Sequence, residues 1–131
     1  MKYRQPDKQR AESLLIAAKR EIDFTRTLPI SEQSASTIVR NVFQSYLMVG
    51  EALLIADGKE ADDHAESIQV LMKLPAQTKR PLGAIDNLRR VRNNANYRGY
   101  MPSVAEAKDA LSLAEDFPEV ISAAKTKIES R

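Results

Sequence analysis

One stretch decides the fold, and it lies at residues 31–58: SEQSASTIVRNVFQSYLMVGEALLIADG. Its apolar side chains recur every three or four residues, the spacing that places them on one face of an α-helix; they are Ile38, Val42, Tyr46, Val49, Leu53 and Ala56. Ser31 is a suitable N-cap and Gly58 a suitable residue to end the helix. The stretch therefore predicts one long helix, and long helices joined by short turns indicate an up-down bundle.

Four further helices are predicted around this long one. Helical spacing of apolar residues marks them at about 6–26, 62–72, 82–99 and 103–128. Ser103 and Glu106 form a capping box at the start of the last helix. Pro118 lies inside that helix and is expected to kink it or split it in two. With no repeat or long linker, the prediction is one all-α domain over residues 1–131, an antiparallel up-down bundle of about five helices.

The composition agrees with this fold class and narrows the function. The 131 residues include 4 Gly and 6 Pro, too few for the turns of an all-β domain. The absence of Cys excludes disulfides, thiolate metal sites and a Cys nucleophile. The longest uncharged run, residues 41–50, is about half a membrane span, and the N-terminus lacks the apolar core of a signal peptide. We therefore expect a cytoplasmic protein without a membrane partner, and no complete enzyme signature calls for a cofactor.

Charge is balanced overall but distributed unevenly. The chain has a formal net charge of +2. Residues 79–98 contain six basic residues and one acid, whereas residues 51–66 contain six acids and one base. The basic segment also carries the amides Asn93, Asn94 and Asn96, a combination that suits phosphate or nucleobase contacts. The alternative is a solvated helix face that pairs with the acidic segment of the same or another protomer.

Helical spacing gathers part of the basic segment into one candidate anion-binding site. Residues three and four apart share a face, and this face carries Arg89, Arg92, Asn93, Asn96 and Gly99 or Tyr100. The neighbouring face carries Leu88, Val91 and Ala95 and is expected to turn to the core. Arg92 and Asn96 are therefore predicted one turn apart, at the boundary between core and solvent. Arg98 extends this basic face, and Tyr97 could stack on a base.

The single histidine, His64, is not assigned to a metal. Asp62, Asp63 and Glu66 surround it, but acids at this position cap a helix and complement its dipole. No second His completes a metal site. The expectation is a helix start with a His satisfied by hydrogen bonds. An approach of His64 to the basic helix across the bundle stays open.

The same basic helix resembles a known family. The segment LRRVRNNANY at residues 88–97 resembles the signature helix of HEPN domains (higher eukaryotes and prokaryotes nucleotide-binding), and RNVFQSY at 40–46, EALL at 51–54 and SVAEA at 103–107 fit in the same order. The resemblance implies a helical bundle that dimerises through the signature helix. Many HEPN proteins are metal-independent ribonucleases, often toxins; others partner a small nucleotidyltransferase, and others only bind.

One departure from the family pattern bears on catalysis. Active members have an Arg, a polar residue and then a His four to six positions after the Arg. Arg92 and Asn93 match the start, but the window after them holds Asn96, Tyr97 and Arg98 and no His. An amide cannot transfer protons, and the ordinary pKa of Tyr, ~10, makes it a poor base. Arg92 can still hold a phosphate bidentately.

The resemblance thus implies a nucleotide- or RNA-binding homodimer with a degenerate catalytic motif, in a toxin–antitoxin or nucleotidyltransferase-paired system. Its predicted site residues are Arg89, Arg92, Asn93, Asn96, Tyr97 and Arg98. One alternative is an active metal-independent ribonuclease that uses an unusual acid–base group. Another is a structural dimeric adaptor that binds no nucleic acid. If Arg89, Arg92 and Arg98 line an open basic groove, binding or cleavage is favoured. If acids from the third predicted helix close that groove, the adaptor is favoured.

Overall fold

Six helices and two short strands follow one another in the computed structural model, which describes residues 1–97 and 99–130. They are β1 (Lys2–Tyr3), α1 (Lys8–Thr25), α2 (Glu32–Ala56), β2 (Lys59–Glu60), α3 (His64–Met72), α4 (Ala84–Tyr97), α5 (Val104–Ala114) and α6 (Phe117–Glu129). The chain is mostly helical, as the sequence predicts. The described residues hold six helices where the sequence predicts about five, because the last predicted helix is divided.

The long helix α2 lies at the centre of the bundle. All five other helices and β2 pack against it, and the six apolar residues predicted for its core face are all buried. Burial extends well beyond that face, since Val39, Phe43 and Leu47 are also within 1% of full burial. The helix begins at a capping box in which Ser31 and Ser34 satisfy each other's backbone N–H groups. It is therefore a core helix enclosed on most of its circumference.

By length and composition alone, α2 could also cross a membrane, and among the described residues it is the one helix of which this holds. The uncharged run at 41–50 is too short to predict this. An 18-residue stretch of α2 that extends beyond the run is still apolar enough, because it tolerates the single charges of Arg40 and Glu51. In the fold, 67% of that 18-residue stretch is buried inside the bundle. Such burial is typical of the core helix of a bundle.

The predicted break at Pro118 is confirmed, and it has a structural use. Helix α5 ends at Ala114 and α6 begins at Phe117, which places Pro118 in the first turn of α6. Between them, the buried carboxylate of Asp116 accepts hydrogen bonds from the backbone N–H groups of Lys79 and Arg80, at 2.9 and 3.0 Å. The break therefore anchors the connector that leads into α4.

The short strands are a feature that the sequence prediction lacked. β1 pairs antiparallel with β2, Lys2 opposite Glu60, and the Arg4 N–H donates to the Gly58 carbonyl oxygen at 2.7 Å. Two-residue strands have too few positions to show a period of two, so no pattern revealed them. The pairing ties the N-terminal segment across the end of α2.

Some residues predicted to face the core are only partly covered. On α4, Leu88 is buried as predicted, whereas Val91 and Ala95 are half-buried. Among the described elements, only α2 and α5 make substantial contact with α4. One flank of α4 is therefore left uncovered.

Gly50 allows α2 and α3 to cross closely. A Cβ atom at position 50 would lie 2.2 Å from the Ser67 carbonyl oxygen. Real atoms do not approach so closely, and that oxygen belongs to the backbone of α3. The start of α3, and His64 with it, is therefore positioned by the absence of a side chain at Gly50.

We predict that Gly50→Ala lowers the free energy of unfolding by about 1–3 kcal/mol or more, because the added methyl group forces the helices apart. Gly83→Ala is the matched control, since a Cβ atom there has no neighbour within 4 Å, and it is expected to stay within about 0.5 kcal/mol of wild type. Urea denaturation measures both. Equal stability of the two variants would contradict the close crossing.

Candidate anion-binding site

The seam between α2 and α4 brings two basic residues to neighbouring turns. The Arg40 Nε donates a hydrogen bond to the Asn96 Oδ1 at 2.9 Å. The Arg92 Cζ lies 5.4 Å from the centre of the Phe43 ring, within reach of a cation–π interaction. Because Phe43 follows Arg40 while Arg92 precedes Asn96, the two helices run antiparallel here. We call these four residues the α2–α4 seam.

Both cations of the seam are held by neutral groups. The Arg92 Nη1 donates to the Asn93 Oδ1 at 3.0 Å. Within the described part of the chain, neither Arg92 nor Arg40 forms an ion pair with a carboxylate. A guanidinium has five N–H donors, and these contacts leave most of them unused. The seam therefore presents two oriented guanidinium groups whose charge is not neutralised.

The other basic residues of α4 are arranged differently. Arg89 and Arg90 both form ion pairs with Asp86 of the same helix, at 3.0 and 3.3 Å. Arg89, predicted as a site residue, is thus paired within its own helix. Tyr97 is the last residue of α4, but its predicted stacking role and the whole of Arg98 lie outside what the structure describes.

The structure thus brings together Arg92, Asn93 and Asn96 of the predicted set, and it adds Arg40. Asn96 acts here as the acceptor that orients Arg40. Sequence reasoning gave Arg40 no role, because its partner lies 56 residues away. A signal was present: Arg40 is the only basic residue between positions 27 and 58.

The acidic segment does not close the basic face of α4 in the described residues. Two of its acids form ion pairs elsewhere: Asp62 with the Met1 amino group and Glu60 with Arg4. The Asp63 carboxylate caps α3 by accepting from the Glu66 N–H at 3.0 Å. For these three acids, pairing with the basic segment, the alternative considered from the sequence, is thus not formed within this part of the protomer.

His64 is the first residue of α3 and lies beside the seam. Its ring centre is 6.3 Å from the centre of the Phe43 ring, the same ring that Arg92 covers. The helix start is confirmed, with Asp63 as N-cap. The expected hydrogen bonds are not formed to any described residue, and the imidazole is exposed. Nor do the described residues gather three His, Asp or Glu side chains suited to a metal ion.

His64 also lines a groove of about 760 Å³ at the end of the bundle. We call it the N-terminal groove; its walls come from the segment before α1, the first turn of α1, the second half of α2, β2 and the start of α3. Glu51 lies in it, half-buried on α2. Burial raises the pKa of the Glu51 carboxyl, while the charges of His64 and Arg10 act in the opposite direction. No motif in the sequence pointed to this groove.

Comparisons of the chain with models of protein families, with curated proteins and with solved structures give no match. The HEPN resemblance therefore stays a prediction from the sequence.

We predict that Glu51→Gln stabilises the protein at pH 7. Since the pKa of Glu51 is raised in the folded state, the folded protein holds this proton more tightly than the unfolded chain does. Ionisation of Glu51 therefore costs stability as the pH rises from about 4.5, and Gln removes that cost. Urea denaturation should show the variant more stable at pH 7 and equal to wild type near pH 4.

The control is Glu12→Gln, at an exposed position of α1, which should give no such pH-dependent difference. A wild type that is more stable than Glu51→Gln at pH 7, or a difference that does not change with pH, would show that burial of Glu51 is not what controls its ionisation.

Proposed function

We propose that this protein binds RNA or nucleotides through their phosphate groups at the α2–α4 seam, with Arg40 and Arg92 as anchors. The observation that carries the proposal is the pair of guanidinium groups held by neutral partners, Asn96 for one and Asn93 and Phe43 for the other. Elsewhere on α4, Arg89 and Arg90 share the one carboxylate of Asp86. An anion bound at the seam supplies the negative charge that no described residue provides to Arg40 and Arg92.

The geometry of the seam favours phosphate over a general attraction to negative charge. A guanidinium is a planar group whose N–H donors match two phosphate oxygens. The contacts described here already restrict its orientation, so the side chain loses less conformational freedom when it binds. Arg92 is half-buried and Arg40 exposed, so the site has one sheltered and one accessible cation. Asn93 and Asn96 beside them offer amide groups for sugar or base contacts.

The HEPN resemblance supports the same function and extends it. The segment with the family-like signature, 88–97, supplies Arg92, Asn93 and Asn96 of the seam. On this basis we propose a HEPN-like bundle and a homodimer with α4 near the two-fold axis, in a toxin–antitoxin or nucleotidyltransferase-paired system. The open flank of α4, with Val91 and Ala95 half-buried, offers small apolar surface to a second copy.

We predict that Arg92→Ala and Arg40→Ala each weaken binding of a labelled single-stranded RNA by about tenfold or more at low salt, since each removes a charge-assisted contact. Fluorescence anisotropy measures the affinity. Loss of one phosphate contact should also reduce the slope of log K against log salt by about 1.

Arg90→Ala is the matched control for this experiment. It removes one positive charge from α4 as Arg92→Ala does, but Arg90 is an exposed residue already paired with Asp86. Its effect is expected to stay within about twofold. If Arg90→Ala and Arg92→Ala weaken binding equally, the RNA responds to net charge and the seam is not the site.

One observation favours ribonuclease activity as a second candidate function. His64 and Arg92 both lie against the Phe43 ring, so an imidazole from α3 and the proposed phosphate anchor share one neighbour. Metal-independent cleavage of RNA needs a group that takes the 2′-hydroxyl proton as its oxygen attacks the phosphorus, and a group that gives a proton to the leaving 5′-oxygen. An imidazole can do either near neutral pH. His64 would then replace the His that the signature segment lacks.

This candidate predicts RNA cleavage in EDTA that falls by about 10²-fold or more in His64→Ala and in Arg92→Ala. Arg90→Ala should cleave like the wild type. Wild-type protein that binds RNA without cutting it would restrict the function to binding. Cleavage that persists in both His64→Ala and Arg92→Ala would place the active site elsewhere.

A further inference from the structure

Five acids line the N-terminal groove, and four of them already have a hydrogen-bond or ion-pair partner. The two that cap helices keep their negative charge. The Asp7 Oδ1 accepts from the Arg10 N–H at 2.9 Å, which caps α1, and Asp63 caps α3 in the same way. Glu60 and Asp62 pair with Arg4 and the Met1 amino group. Glu51 is the one acid left.

The basic groups of the groove are less occupied. Arg10 and Lys59 line it and form no ion pair with any described carboxylate, and the exposed His64 imidazole lines it too. These donors come from three elements: α1, β2 and the first turn of α3. An anion in the groove could therefore be contacted from several sides.

Glu51 adds a second requirement for the occupant. It is half-buried on α2, which forms part of the groove wall. A carboxyl group in that position is best satisfied by an O–H or N–H donor of the occupant, such as a sugar hydroxyl. The volume of about 760 Å³ is in the range of pockets that enclose small molecules.

We propose that the N-terminal groove binds a small phosphorylated molecule that also carries hydrogen-bond donors, such as a sugar phosphate. Arg10 holds the phosphate group, with Lys59 and His64 as further donors, and Glu51 accepts from a hydroxyl of the same molecule. This site is separate from the α2–α4 seam and does not depend on RNA binding there. The two share one boundary, because His64 lines the groove and contacts Phe43.

The single histidine of the chain makes the test direct. Its imidazole Hε1 gives one NMR signal that needs no assignment by mutation, and it reports from the wall of the groove. Ribose 5-phosphate is expected to shift this signal in a saturable way with a dissociation constant below about 10 mM. Inorganic phosphate should bind at least about threefold more weakly, because it cannot reach Glu51 as well, and ribose alone should produce no saturable shift.

Variants separate the groove from other sites. Arg10→Ala should weaken ribose 5-phosphate binding by about tenfold, and Lys59→Gln should weaken it in the same direction. Arg20→Ala, which removes the same charge from an exposed position of α1 outside the groove, should stay within about twofold. Arg92→Ala should also leave this affinity unchanged. Glu51→Gln should reduce the preference for ribose 5-phosphate over inorganic phosphate.

Three outcomes would overturn the proposal. One is the absence of saturable binding up to about 10 mM. Another is equal weakening by Arg10→Ala and Arg20→Ala, which would indicate a response to net charge. The third is weakening by Arg92→Ala with no effect of Arg10→Ala, which would place the sugar phosphate at the seam and leave the proposed function intact.

Discussion

Burial of α2 is the constraint on which the rest of the structure depends. Every other helix packs on it, so the few positions where it reaches the surface decide where a site can form. After Thr37, its exposed residues are Arg40 and Gln44. Arg40 lies in the seam with α4, and Gly50 lets α3 approach closely enough to hold its first turn, with His64, against Phe43. The packing of one apolar helix thereby determines which polar groups meet.

Local pairing then determines which charges remain available. Asp86 pairs with both Arg89 and Arg90 within α4, and the N-terminal segment pairs with Glu60 and Asp62. These pairs are exposed or half-exposed and contribute little to stability. Among the cations that form no ion pair with a described carboxylate are Arg40 and Arg92 at the seam and Arg10 and Lys59 in the N-terminal groove. His64 lies between the two sites.

Sequence reasoning predicts the features that depend on nearby residues. Apolar spacing predicts the core face of α2, and Pro118 predicts the division between α5 and α6. Spacing along α4 also predicts that Arg92, Asn93 and Asn96 lie together, although the pairing of Arg89 with Asp86, three residues away, was equally local and was missed. The role of Arg40, the clamp of Asp116 on the connector and the β1–β2 pairing could not be predicted, because each joins segments far apart in the chain.

The central claim is that Arg40 and Arg92 together bind phosphate. The most direct measurement follows the side-chain Nε–Hε signals of ¹⁵N-labelled arginines while a short single-stranded RNA is added. We expect the signals of Arg40 and Arg92, identified from their Lys variants, to move together and saturate at one RNA concentration, while that of Arg90 stays in place. Movement of Arg90 alone, or of all arginines in proportion to their exposure, would contradict a phosphate site at the α2–α4 seam.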